Sequence, residues 1–215
     1  GIGIASLVAA PIGAAASAVG DFVKWATVLQ PFFMGILVSV AVGMALTLPI
    51  SSAAICAALG LTGLAGGAAV AGCCAQMVGF AVMSFRENGW GGLVAQGIGT
   101  SMLQMPNIVK NPRIWIPPTL ASAITGPLAT CLFHLEMNGT AVSSGMGTCG
   151  FVGQIGVYTG WINDIANGAK TAITAMDWTG MALICFVLPA VLSWVFCLIL
   201  RKWGWIGEND LKLEL

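Results

Sequence analysis

The stretch from His134 to Trp161, HLEMNGTAVSSGMGTCGFVGQIGVYTGW, constrains the fold of this chain more than any other. It sets the single His of the chain two residues before a Glu, then runs through Ser, Gly, Asn and Gln between segments apolar enough to sit in lipid. In a bilayer core, backbone outside a regular helix keeps its N–H and C=O groups satisfied only where protein or a water-filled cavity supplies partners. A broken segment between spanning helices therefore reads as a re-entrant hairpin that lines a binding site.

The lipid setting follows from composition. Of 215 residues, 58% are hydrophobic, 7% are charged and 29 are Gly, and the mean hydropathy is +0.93. Soluble domains carry about a quarter charged residues, so this chain has too little polar side chain to face water all round. A formal net charge of +0 offers no basic face for phosphate neutralisation, which excludes nucleic acid as a partner. The opening GIGIASLVAA has neither an initiator Met nor a basic stretch before its apolar run, so it reads as a fragment or processed chain and not as a signal peptide. Cysteines at 56, 73, 74, 131, 149, 185 and 197 form no C-x-x-C and have no His at ligand spacing. They read as small apolar fillers, with no metal and no cofactor implied.

Taken in order, Ile2 to Val19 is an Ala- and Gly-rich apolar run interrupted by Pro11, followed by an interfacial cluster of Asp21, Lys24 and Trp25. Pro31 to Ile50 is long enough to cross, since about twenty residues at 1.5 Å each match a hydrocarbon core of about 30 Å. For the small-residue stretch from Ile50 to Gly67 two readings stand: a first re-entrant hairpin, or a tightly packed helix. Ala68 to Phe85 crosses next and stops at Arg86 and Glu87. In the polar loop from Arg86 to Arg113, Val94, Ile98, Met102, Met105 and Val109 recur at helical spacing opposite Gln96, Ser101, Gln104 and Asn107. That pattern predicts a short helix along the membrane surface, broken at Pro106. Ile114 to Phe133 crosses, kinked by Pro117, Pro118 and Pro127, and delivers the chain to His134. After the hairpin, Ile162, Ile165, Ala169, Ile173 and Met176 make another amphipathic stripe against Asp164, Asn167 and Lys170, and Trp178 to Leu200 spans with Arg201 and Lys202 as its stop.

The predicted class is thus an all-α polytopic membrane protein with about five spanning helices, one or two re-entrant hairpins and short interfacial helices, all in one membrane-embedded domain over 1–215. The hairpins fall near 50–67 and 134–160. Lys and Arg concentrate in the loop 86–113 and the C-terminal tail, which places both in the cytoplasm.

The two broken stretches echo each other. Gly60-Leu-Thr-Gly63-Leu-Ala-Gly66 has the same Gly spacing as Gly147-Thr-Cys-Gly150-Phe-Val-Gly153, and each follows a Ser pair, Ser51-Ser52 and Ser143-Ser144. Paired broken helices are a transporter trait. The segments PISSAAICAALGLTGLAGGAA, MLQMPNIVKNPRIWIPPTLASAITGPL and NGTAVSSGMGTCGFVGQIG resemble the IIC-type membrane proteins of the phosphotransferase system, in the branch that carries the perfringolysin regulator of clostridia. The resemblance covers the C-terminal two thirds of such a protein. It implies a bacterial inner-membrane permease, a homodimer, a sugar or related small polar solute, and IIB and IIA partner proteins that would do any phosphorylation.

In other IIC families a His and a Glu near the hairpins bind sugar hydroxyls, which points to His134 and Glu136. Asn138, Ser143, Ser144, Gln154 and the first Ser pair, Ser51 and Ser52, add donors and acceptors suited to a neutral, hydroxyl-rich solute. Trp161 beside the hairpin is placed to stack on a sugar ring, whereas Asp164 and Asp177 read as solvated. No nucleotide-binding loop or catalytic constellation is present, so the chain reads as a permease and not an enzyme. The rival class is a membrane sensor that binds solute without flux; a channel is disfavoured by the lack of any charged or filter-like ring.

Overall fold

The computed structural model describes residues 30–213, together with Ala18, Asp21, Phe22, Trp25 and Ala26. The first apolar run and Lys24 lie outside the described residues, Ala18 apart. Among the described residues all regular structure is helical, with one isolated bridge between Gly63 and Met137.

The main helices among the described residues are α1 (Pro31–Thr47), α2 (Ser52–Leu59), α3 (Gly63–Met83), α4 (Phe85–Val94), α5 (Met105–Lys110), α6 (Ile116–Pro127), α7 (Val152–Ala166) and α8 (Ala175–Lys202). Among the described residues α3 and α8 are the two helices long and apolar enough to cross a bilayer, and α1 is apolar but shorter. Their surroundings differ: 89% of the apolar window of α3 is buried inside the protein against 33% for α8, so α3 is the axis and α8 an outer wall.

Helices reach α3 at backbone distance because the contact residues have almost no side chain. A Cβ on Gly72 would overlap the Ser39 carbonyl of α1, and a Cβ on Gly126 of α6 would overlap the Gly35 carbonyl. Hydroxyls and amides settle the polar groups between them. Ser39 Oγ donates to the Ser122 carbonyl at 2.8 Å, while the Gln76 amide donates to Thr119 Oγ1 at 3.3 Å and accepts from Trp115 Nε1 at 3.0 Å. A Gln in the middle of a buried apolar helix is thereby satisfied on both its donor and its acceptor side.

Those contacts also fix direction. Ser39 lies at Gly72 and Thr47 at Gln76, so α1 runs parallel to α3, whereas Thr119 at Gln76 and Ser122 at Gly72 make α6 antiparallel. Ser193 at Gly79 and Arg201 at the Met83 carbonyl make α8 parallel. Two consecutive parallel helices need a return path, and α2 is that path. It starts at Ser51, whose side chain accepts from the Ala54 N–H, and hands the chain through left-handed Gly60 back to the start of α3.

A second excursion follows α6. The chain leaves the start of α3 at Asn138, reaches Cys73 and Cys74 with Gly147 and Met77 with Thr148, then returns along α7 until Gly160 packs on Asn138 again. The two excursions cover the stretches near 50–67 and 134–160, where the helices are short or interrupted.

Several boundaries differ from expectation for physical reasons. Helix α3 begins at Gly63, not Ala68, because Gly67 lets the Leu135 carbonyl sit against the helix and the bridge to Met137 holds its first residue. Pro117 and Pro118 do not kink α6; they sit in its first turn, where amide hydrogens lack helical partners anyway. Pro127 lies inside the helix, which then widens into a π turn at Leu128–Leu132. Pro106 likewise begins α5 and breaks nothing. The stripe from Ile162 to Met176 is not one helix: α7 ends at Ala166, Gly168 turns with φ 74°, and α8 starts afresh under a capping box of Thr174 and Asp177.

In the loop after Met83 the apolar stripe faces out and the polar one faces the protein. Val94, Ile98, Met102 and Val109 are exposed, while Gln96, Ser101, Gln104 and Asn107 are buried. Gln104 Nε2 donates to Gln96 Oε1 at 2.8 Å and to the Leu211 carbonyl at 3.0 Å, and Asn107 Nδ2 donates to the Lys212 carbonyl at 2.9 Å. Asn88 accepts from the Leu213 N–H at 2.8 Å. The tail after α8 is thus stitched into the loop through side-chain amides.

Gly72→Ala is expected to lower stability by about 1–3 kcal/mol, because backbone on both sides prevents relief. Gly91→Ala, where an added Cβ meets nothing within 4 Å, should shift it by less than about 0.5 kcal/mol. Thermal melts of the detergent-purified pair check the contrast; equal midpoints would contradict close packing at Gly72.

Candidate functional site

The repeated glycines take the same backbone conformation in both excursions. Gly60 and Gly63 have φ of 60° and 61°, and Gly147 and Gly150 have φ of 53° and 51°, so the equal spacing in sequence goes with a left-handed φ at all four, Phe151 adding a fifth at 58°. Left-handed φ is open to Gly without steric cost, and each pair launches a helix, α3 and α7. The two blocks also hold each other: Ser52 Oγ donates to the Gly145 carbonyl at 2.7 Å and Ser144 Oγ donates to the Leu61 carbonyl. Ser51 caps α2 and Ser143 exchanges a hydrogen bond with Thr140 at 2.9 Å. Gln154 Nε2 donates to Cys74 Sγ at 3.2 Å, deep between helices, with its Oε1 unpartnered.

Beside this pair of excursions lies a cleft of about 200 Å³ lined by His134, Glu136, Asn138, Trp161, Asp164, Ala169 and Lys170. Its first wall is a short extended segment. His134 turns the chain with φ 44°, and Met137 exchanges two backbone hydrogen bonds with Gly63 at 3.0 and 3.1 Å. In extended chain alternate side chains face opposite ways. Leu135 and Met137 accordingly go into the core, leaving His134, Glu136 and Asn138 together on the cleft.

Asn138 is the keystone. Its Nδ2 donates to Glu136 Oε2 at 3.0 Å and to Asp164 Oδ2 at 2.9 Å, while its Oδ1 accepts from the Gly63 N–H at 3.1 Å. One amide thus ties the outgoing strand to the returning helix α7 and to the start of α3. The opposite wall is Trp161, edge-on to Trp178 at 5.4 Å and to Tyr158 at 6.5 Å. Lys170 Nζ lies 5.4 Å from the Trp161 ring and pairs with Asp177 Oδ1 at 2.6 Å.

Of the eight residues singled out in sequence, the structure gathers His134, Glu136 and Asn138 on the cleft. Ser51, Ser52, Ser143, Ser144 and Gln154 sit instead in and between the excursions. Asp164 and Asp177 are not simply solvated: one joins the Asn138 bridge and the other caps α8 and holds Lys170. Asp164 and Lys170 were missed because they reach the cleft only when the excursion closes on itself. The H-L-E-M-N alternation was the local signal for the first wall. Among the described residues no group of three or more His, Cys, Asp or Glu is arranged to hold a metal ion.

Carboxylate oxygens and an imidazole around a small open cleft can exchange hydrogen bonds with hydroxyls, while Trp161, 3% exposed, lies under Lys170. The chain matches the family model described as phosphotransferase system, EIIC, over residues 1–213. It therefore belongs to the EIIC family, and is an integral protein of the bacterial inner membrane and the permease component of a phosphotransferase system. No curated protein and no solved structure matches it.

Asn138→Asp should destabilise the protein more than Asn138→Ala at neutral pH, because it sets a third carboxylate between Glu136 and Asp164 and removes the shared donor. Thermal melts of both variants measure this; an aspartate variant as stable as the wild type would show that the amide bridge does not form.

Proposed function

We propose that the cleft between His134 and Lys170 is the solute-recognition site of this permease, and that the solute is a sugar or closely related polyol. The observation that carries this is the alternation that turns His134, Glu136 and Asn138 onto one wall of a cleft that Asp164 and Lys170 also line. Glu136 and Asp164 accept from hydroxyls, and His134 donates or accepts. At about 200 Å³ the cleft is below the range of about 300–1,000 Å³ usual for drug-sized ligands, which favours one small ring over an oligosaccharide.

In a bilayer, the excursions over 50–67 and 134–160 act as re-entrant hairpins, supported by entry and exit meeting at Asn138. Ser51, Ser52, Ser143, Ser144 and Gln154 hold those hairpins and shape the path beyond the cleft. The loop 86–113 and the C-terminus face the cytoplasm, and the cleft, at the other end of α3, opens outward. Solute then crosses by alternating access, with the hairpins moving against the bundle of a single domain over 1–215, within a homodimer of about five crossings per chain. IIB and IIA partners phosphorylate it on the cytoplasmic side. Within the family, the three quoted segments support the perfringolysin-regulator branch.

Uptake of a labelled sugar panel into vesicles carrying the chain and the phosphotransferase partners tests this. Glu136→Gln and His134→Ala should each cut uptake of the transported sugar at least about tenfold, the cost of one lost charge-assisted hydrogen bond. Uptake unchanged in both would remove the cleft from the pathway, and binding without uptake would mark a sensor.

A further inference from the structure

We propose that the groove between α8 and α4 is a binding site for one phospholipid whose headgroup carries a primary ammonium, of the phosphatidylethanolamine type. Two adjoining clefts at the far end of α3 from the solute site build it. An apolar one of about 280 Å³ is walled by Val82, Trp90, Leu93, Trp194 and Leu198. A polar one of about 260 Å³ is lined by Arg86, Glu87, Arg201, Glu208, Asn209 and Lys212. Arg86 and Arg201 border both, so an apolar trough runs into a charged end as an acyl chain runs into its headgroup. Exposed Trp90 and Trp194 are of the type that sits at the lipid–water boundary, one on each flank of the trough.

The charges select the headgroup. Arg201 is engaged by Glu87 and the Met83 carbonyl. Among the described residues Arg86, Lys212 and Glu208 form no ion pair. Two open cations and one open anion match a phosphate lying between Arg86 and Lys212 with an ammonium turned toward Glu208. An independent observation points the same way. The Glu87 side chain is 6% exposed, one oxygen engages Arg201, and the other, Oε2, is buried without a partner. A buried carboxylate oxygen left bare is costly, and a headgroup N–H supplies the missing donor. A trimethylated choline has no N–H to give, and a glycerol headgroup brings no cation for Glu208. The site rests on none of the residues assigned to solute binding.

Native mass spectrometry of the delipidated chain in detergent, titrated with phosphatidylethanolamine, phosphatidylcholine and phosphatidylglycerol of matched acyl chains, tests it. The ethanolamine lipid should bind about tenfold tighter than the choline lipid, the scale of a charge-assisted hydrogen bond. Glu87→Gln should erase that preference. Because it also alters the contact with Arg201, exposed Glu208→Gln is the second variant and should narrow the preference with the fold intact. Arg86→Ala should weaken all three lipids alike. Equal binding of ethanolamine and choline lipids by the wild type, tighter binding of the glycerol lipid, or indifference to Arg86→Ala would each overturn the proposal.

Discussion

Backbone-to-backbone approach at small residues is the condition on which this structure rests. In lipid the apolar side chains gain little by leaving their surroundings, so helices adhere through close van der Waals contact and hydrogen bonds, not through exclusion of water. Helix α3 meets that condition along its length. Gly72 admits the Ser39 carbonyl, Gly67 the Leu135 carbonyl, and Gly79 the Ser193 side chain. Each close approach sets the level of a neighbour, and those levels decide that α1 and α8 run with α3 while α6 runs against it. The first excursion is then forced, since a chain leaving α1 has to come back before α3 begins.

The same physics inverts the usual distribution of side chains. Gln76 is wholly buried and bonded to Thr119 and Trp115, and Gln96, Gln104 and Asn107 turn inward onto the tail carbonyls, while Val94, Ile98 and Val109 face outward. A side-chain amide inside such a protein works as a connector between segments that have no sheet or helix to share. The tail after α8 is held this way through Asn88, Gln104, Asn107 and Asn111, beside the burial of Ile206 and Leu211 against Phe80 and Ile114.

This inversion also explains what the amino-acid sequence disclosed. Apolar length and charge clusters located α1, α3, α6 and α8 to within a few residues, because hydrophobic thickness is a one-dimensional property of the chain. The amphipathic spacing from Val94 to Val109 was visible too, but its inward face was the polar one, which spacing by itself does not tell. The paired glycines were legible because left-handed backbone admits few other residues, so Gly60, Gly63, Gly147 and Gly150 carry their geometry in their identity. Asp164 and Lys170 were not legible as cleft residues: their place depends on α7 returning to Asn138, a closure in three dimensions that leaves no local pattern. The stripe from Ile162 to Met176 misled for the converse reason, since the ends of two helices happened to keep one phase across Gly168.

Asn138 has a further bearing on how the excursion moves. Its amide hydrogens occupy one oxygen of Glu136 and one of Asp164, two of the acceptors on the cleft wall. An occupant that claims those oxygens competes with the clamp joining the two feet of the loop. The far tip has an anchor of its own, where Thr148 donates its hydroxyl to the Gly97 carbonyl.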